Sequence, residues 1–138
     1  MFGFVSAPMT LPDYEQWTLL MYVVAIPYFF AAMAIAPLDP KVWWSINILP
    51  MLFVATLIAT HRRFPLSNAS YLLITVWLTL HTIAAHYTYP KVPVGFWLDR
   101  LFDFQRNHFD RIVHFSFGFF MTFPLVEIFR RRCQAKGW

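Results

Sequence analysis

The chain of 138 residues has the length of one domain, and its composition excludes an ordinary soluble one. Hydrophobic residues make up 59% and charged residues 13%, whereas soluble domains carry roughly 25% charged residues. The net charge of +4 fits the basic flanks of a membrane protein, and we expect no nucleic-acid partner. The composition therefore predicts an all-α integral membrane protein.

Before the first apolar run, residues 1–16 contain no Lys or Arg. A cleavable signal peptide begins with a basic region, so this segment does not have the pattern of one. It predicts instead an amphipathic arm at the membrane surface.

Four apolar runs then follow one another, each 17 to 20 residues long. A helix of this length crosses a hydrocarbon core of roughly 30 Å. None of the runs alternates polar and apolar residues as a strand does. We predict a single membrane domain over residues 1–138, with four transmembrane helices at about 17–36, 42–60, 70–86 and 110–129.

The connection between the third and fourth predicted helices is long and amphipathic. Residues 94–106 interleave apolar side chains with Asp and Arg, which predicts a short helix lying in the membrane interface. This segment either packs onto the bundle as a lid or binds a partner or substrate. In the second case we expect the contacts to come from Phe96, Trp97, Phe102 and Phe104.

The basic residues give an orientation. One side of the predicted bundle carries six Lys and Arg residues and the other carries five, and the richer side is expected to face the cytoplasm. This places both termini in the cytoplasm. The residues on that side are Arg62, Arg63, Arg130, Arg131, Arg132 and Lys136.

Ionisable side chains within spanning segments are costly and therefore mark candidate functional sites. They gather where the third predicted helix ends and the fourth begins. At 1.5 Å per residue, His86 and His114 reach about the same level, whereas His81 lies more than a turn deeper. The whole set comprises His81, His86, His108, Asp110, Arg111 and His114.

Three interpretations of this polar cluster stay open. It can be a hydrogen-bonded network that fixes the helix register, with Asp110 pairing to Arg111 or His114. It can hold a metal, a haem or a pigment through His86 and His114. It can also carry a proton path or acid–base chemistry, with His114 oriented by Asp110.

Two segments, LHTIAAHYTYP (80–90) and NHFDRIVHFSFGFF (107–120), resemble the YjdF-like family of bacterial inner-membrane proteins, whose function is uncharacterised. The resemblance is specific because two uncommon strings occur in the same order. It implies an inner-membrane location and marks the six residues of the polar cluster as motif positions. Members of that family continue into further helices, so we expect this chain to be a truncated version that lacks them.

These patterns favour a non-enzymatic role. We expect a small accessory subunit of a larger membrane complex, such as a respiratory or photosynthetic one, with other integral membrane subunits and lipids as partners. The alternative is a stand-alone membrane metalloprotein or enzyme that uses the outer His and Asp cluster. The sequence contains no phosphate-binding glycine loop and no serine nucleophile motif to support a common enzyme class.

Overall fold

The computed structural model describes residues 25–103 and 106–133. Within these ranges the chain is entirely helical and contains no strand, which confirms the all-α prediction for this part. The five helices are α1 Ile26–Ala34, α2 Pro40–Thr60, α3 Asn68–His86, α4 Pro93–Phe102 and α5 Phe109–Cys133. The predicted arm at residues 1–16, the aromatic side chain of Phe104 and the basic residue Lys136 lie outside the described residues.

Three of the described helices are long and apolar enough to cross a membrane: α2, α3 and α5. The first predicted transmembrane helix, residues 17–36, lies partly outside the described residues. Its described part is α1, whose 9 residues are too few to span a bilayer alone. Three candidate spans are therefore established, and the fourth stays a prediction.

Local capping chemistry decides where α2 and α3 begin. Asp39 accepts hydrogen bonds from the backbone N–H groups of Lys41 and Val42, and Pro40 occupies the first helical turn. Ser67 caps α3 by accepting from the backbone N–H of Ser70. Because these caps precede the apolar runs, each helix begins two residues before its predicted start.

The last span extends beyond its apolar run. α5 continues to Cys133, although the run ends at Phe129. Arg is a good helix former, and Arg131 forms an ion pair with Glu127 one turn earlier, so the basic segment continues the helix.

The central helix is α3, which packs against α5, α2 and α1. Two groups of buried side chains lie along it. One consists of Leu66, Ile74, Leu78 and Met121. The other consists of Ala84, Val92, Phe109 and Val113. We refer to the end of the bundle where α3 begins and α5 ends as the arginine end, and to the opposite end as the histidine end.

A close approach fixes α4 against the start of α5. The side chain of Asn107 donates to the carbonyl of Val92 and accepts from the backbone N–H of Phe109. A Cβ atom at Gly95 would lie 1.9 Å from Asn107 Oδ1, so this position requires glycine while Asn107 keeps its place. The connection between the two helices is thereby held across the histidine end.

Candidate functional site

His86, at the last turn of α3, is used to hold α1. Its Nδ1 donates a hydrogen bond of 2.7 Å to the carbonyl of Met33. The ring also packs edge to face with Trp43 of α2, at 6.4 Å between ring centroids, and Trp43 is fully buried. The backbone carbonyl of His86 accepts from Leu38 N–H. His86 therefore joins three segments of the chain and is not turned towards His114.

His81, one turn deeper, is bonded to a tyrosine from the following loop. Thr88 and Tyr89 both adopt left-handed backbone conformations, with φ of 58° and 54°. This reversal brings the Tyr89 N–H back to the carbonyl of Ala84 and lays the side chain along α3. The Tyr89 hydroxyl then reaches His81 Nδ1 at 2.6 Å.

The Tyr89 phenol of this pair is protonated at neutral pH. Burial raises the pKa of Tyr89 to about 12, and the charge of Asp110 acts in the same direction. The hydroxyl therefore donates to His81 Nδ1 in the tautomer that carries the ring hydrogen on Nε2, and accepts from Nδ1 in the other tautomer.

A backbone carbonyl of α2 faces the same histidine ring. His81 Nε2 is buried without a well-formed hydrogen bond to the described residues, and the carbonyl of Ile46 interacts with the ring. That carbonyl has no partner within α2, because the residue four positions later is Pro50, which has no N–H. A proline inside one span thus leaves an acceptor for the histidine of the next.

His114 occupies the accessible side of the site. Its Nε2 lies 3.1 Å from Asp110 Oδ1, and the side chains of His114 and Asp110 are 73% and 50% exposed. The His114 ring is stacked on Tyr89, with centroids 6.2 Å apart and the planes inclined by 17°. Tyr89 therefore lies between buried His81 and exposed His114. The neighbouring Arg111 is exposed.

His108 is directed towards α4 instead. Its Nδ1 lies 3.8 Å from Asp99 Oδ1, which is an ion-pair separation when the ring is protonated and is too long for a hydrogen bond. The Asp99 side chain is only 11% exposed. The six predicted residues therefore do not form one site. His86 contacts α1 and His108 contacts α4. The other four, His81, Asp110, Arg111 and His114, lie in the region around Tyr89 and the start of α5.

A metal site held by His86 and His114 is one of the three interpretations of the polar cluster. Among residues 25–103 and 106–133, no group of three His, Cys, Asp or Glu side chains is arranged to hold a metal ion. His86 and His114, the two expected ligands, each engage another partner, Met33 and Asp110.

Tyr89 is the site residue that sequence reasoning missed. The signal for it was weak, because neither Thr88 nor Tyr89 is a residue type that marks a left-handed turn. Pro50 was visible in the sequence, but its consequence depends on the packing of α2 against α3.

The distribution of polar and apolar side chains on α4 is the reverse of that on a surface helix of a water-soluble protein. Its acid Asp99 is turned inward to His108, whereas the aromatic side chains of Phe96, Trp97 and Phe102 are exposed. Trp97 alone is 63% exposed. We call these three side chains the α4 aromatic face.

Comparison with known proteins identifies the family of the chain. A family described as a predicted membrane protein (DUF2238) matches residues 17–138. The chain belongs to this family. The chain is also similar to the inner membrane protein YjdF of Escherichia coli K12, with 34% identity over 98 residues. That alignment covers 70% of this chain and 47% of YjdF, so the chain spans about half the length of its relative.

The relationship confirms the resemblance drawn from the two histidine-containing segments. It also supports a location in the inner membrane, because YjdF is named for that membrane and the chain has three candidate spans. No solved structure matches the chain significantly.

Proposed function

We propose that this DUF2238 chain is a non-catalytic helical subunit of a larger membrane assembly and that the α4 aromatic face is its docking surface. The observation that carries the proposal is the reversed polarity of α4, with Asp99 inside and Trp97 outside. α4 joins the candidate spans α3 and α5 and, with 10 residues, is too short to cross a bilayer, which supports a place for its aromatic face at the membrane surface, where exposed rings favour an apolar covering.

The occupant that this face fits best is another membrane-embedded protein. Phe and Trp are enriched at the centres of protein interfaces, where large rigid rings bury much area at low entropic cost. α4 is also held rigidly, because Gly95 abuts Asn107 and Asp99 lies beside His108. A preorganised surface loses little freedom on binding, which favours a stable contact.

Copurification from native membranes in mild detergent tests this role. We expect defined partner chains to copurify in fixed ratio with the wild type and to be lost from the double variant Trp97→Ala/Phe102→Ala. The matched control is Leu49→Ala on α2, which removes a side chain that is equally exposed but belongs to a spanning segment. A wild-type chain that runs as a lone monomer would overturn the proposal.

A second candidate function has its own observation. Tyr89 lies in a row of titratable groups: its hydroxyl is hydrogen-bonded to buried His81, and its ring is stacked on His114 of the exposed Asp110–His114 pair. Such a row supports acid–base chemistry on a polar group that approaches from the membrane surface. In this role His114 exchanges the proton and Asp110 orients its ring. Tyr89 stacks on the His114 ring and is itself held by its hydrogen bond to His81.

Comparing lipid and metabolite profiles of cells that express different variants tests the second candidate. If His114 carries chemistry, a compound changed by the wild type will be unchanged by Asp110→Asn and His114→Gln, although both variants accumulate normally. Arg100→Gln, an exposed charge on α4, is the control and should behave as the wild type. Identical profiles for the wild type and an empty vector would exclude this function under the conditions used.

A further inference from the structure

The arginine end of the bundle carries five arginines, two of which lie over the same aromatic ring. The guanidinium carbons of Arg131 and Arg132 lie 5.7 Å and 5.2 Å from the ring centroid of Phe64. Phe64 directly follows Arg62 and Arg63 in the loop between α2 and α3. We define the arginine cluster as Arg62, Arg63, Arg130, Arg131 and Arg132, all of which are exposed.

The loop that presents these side chains is fixed by its own hydrogen bonds. The Phe64 N–H donates to the carbonyl of Thr60 at 2.8 Å. His61 Nδ1 and the Tyr71 hydroxyl are 2.7 Å apart, and Arg131 donates to the carbonyl of Pro65. The loop backbone and Arg131 are therefore held in place before a ligand binds, which lowers the entropic cost of binding.

One acid lies at this end among the described residues, and its bonds are internal. Glu127 accepts from Ser67 and Ser70 and pairs with Arg131. The other described acids lie near the start of α2 or in the α4–α5 region, at the histidine end: Asp39, Asp99, Asp103 and Asp110. Of the cluster, only Arg131 has its charge offset by a described acid, so the described residues of the arginine end carry a net positive charge.

The depth of the cluster selects the class of ligand. Arg62 and Arg63 follow the end of α2, and the other three arginines close α5, both of which are candidate spans. The ends of spanning helices lie at the level of the lipid headgroups. Guanidinium groups bind phosphate oxygens in a two-pronged geometry, so a phosphodiester at this level is the matching anion.

We propose that the arginine cluster is a binding site for the headgroup of an anionic phospholipid, with the phosphodiester held between the α2–α3 loop and the end of α5. This goes beyond the role of the same arginines in setting orientation, since that role needs charge alone. The site also lies at the opposite end of the bundle from His114 and the α4 aromatic face, so it stands independently of the proposed function.

Native mass spectrometry of the purified chain in detergent tests the site, with phosphatidylglycerol and phosphatidylcholine added in turn. The variant is Arg63→Gln/Arg132→Gln, and the matched control is Lys41→Gln/Arg100→Gln, which removes two exposed positive charges at the histidine end. We expect the variant to bind phosphatidylglycerol about 30-fold more weakly than the wild type, since each basic residue at a headgroup surface contributes roughly fivefold.

The control should retain wild-type binding, and binding of phosphatidylcholine should be weak and equal in all three proteins. The double variant Arg63→Lys/Arg132→Lys keeps the charge but loses the guanidinium fork, so we expect binding between the wild type and the Gln variant. Equal losses in the Gln variant and the control would show attraction by net charge only and would overturn the proposal. Equal wild-type affinity for the two lipids would overturn it too.

If the Gln variant fails to fold, the single variant Arg132→Gln answers the same question with an expected loss of about fivefold. Wild-type affinity for phosphatidylglycerol in the Arg132→Gln variant would overturn the proposal.

Discussion

The fully buried hydroxyl of Ser70, at the start of α3, donates a hydrogen bond to the carboxylate of Glu127 on α5. The same carboxylate accepts from the backbone N–H and the hydroxyl of Ser67 and pairs with Arg131. The Glu127 carboxylate thus links the residues that cap α3 to the last turns of α5. It ties together residues that lie 57 and 60 positions apart.

We expect Glu127→Gln to destabilise the protein by about 1–3 kcal/mol. The amide keeps one acceptor oxygen, but its NH2 group would face the donors of Ser67, and the ion pair with Arg131 would be lost. Thermal unfolding in detergent measures the effect. Thr122→Ala is the control, because the Thr122 hydroxyl bonds only within its own helix and its loss should change stability little. Equal melting temperatures for the two variants would contradict this account.

Gly95→Ala tests the close approach between α4 and α5. A new Cβ would displace the Asn107 side chain, which holds two hydrogen bonds, so we expect a loss of about 1–3 kcal/mol. Gly118→Ala provides a matched control, since a Cβ there meets nothing within 4 Å and alanine favours the helix. Unfolding curves of the two variants should therefore shift in opposite directions, and a stabilised Gly95→Ala would refute the packing argument.

His86 and His114 should respond differently to alanine. His86→Ala removes the bond to Met33 and the packing on Trp43, so we expect a loss of about 1–3 kcal/mol and poorer accumulation in membranes. His114→Ala alters an exposed side chain and should stay within about 0.5 kcal/mol of the wild type. Unfolding in detergent and the yield from membranes distinguish them. The reverse order would show that His114, rather than His86, holds the helices together.

Tyr89 gives a prediction at high pH. The free phenol ionises near 10, whereas burial and the charge of Asp110 raise the pKa of Tyr89 to about 12. The folded state therefore holds the proton more tightly than the unfolded state. The resulting stabilisation is fully present below pH 10 and is lost as the pH rises from 10 to 12.

Phenolate absorbance measures this ionisation directly. The difference between the wild type and Tyr89→Phe isolates one phenol, which should begin to ionise only well above pH 10. Ionisation of this phenol near pH 10 in the folded protein would contradict its burial.

Some of this architecture follows from sequence and some does not. Helix class and the three candidate spans follow from apolar length alone, and the caps at Asp39 and Ser67 explain the small shifts in the starts of α2 and α3. The Ser70–Glu127 contact could not be predicted, because it depends on the relative rotation of α3 and α5. The same holds for Tyr89, whose position depends on two left-handed residues that no glycine marks.

The polar cluster shows the same division. The sequence predicted that the histidines lie at one end of the bundle. Depth alone matched His86 with His114, but the reversal at Thr88 places Tyr89 between His114 and His81 instead. The rise per residue gives the depth of a residue within a helix, but it does not predict where the chain reverses after the helix ends.

Pro50 has a consequence for how α2 moves. Without a backbone bond from position 50 to Ile46, α2 can bend at its midpoint without breaking a further hydrogen bond. The half that begins at Pro40 carries Trp43, which packs on His86, while the other half carries Phe53 and Val54 in the Leu66 cluster. A bend at Pro50 would therefore change the angle between the part of α2 that contacts His86 and the part that packs on the Leu66 cluster.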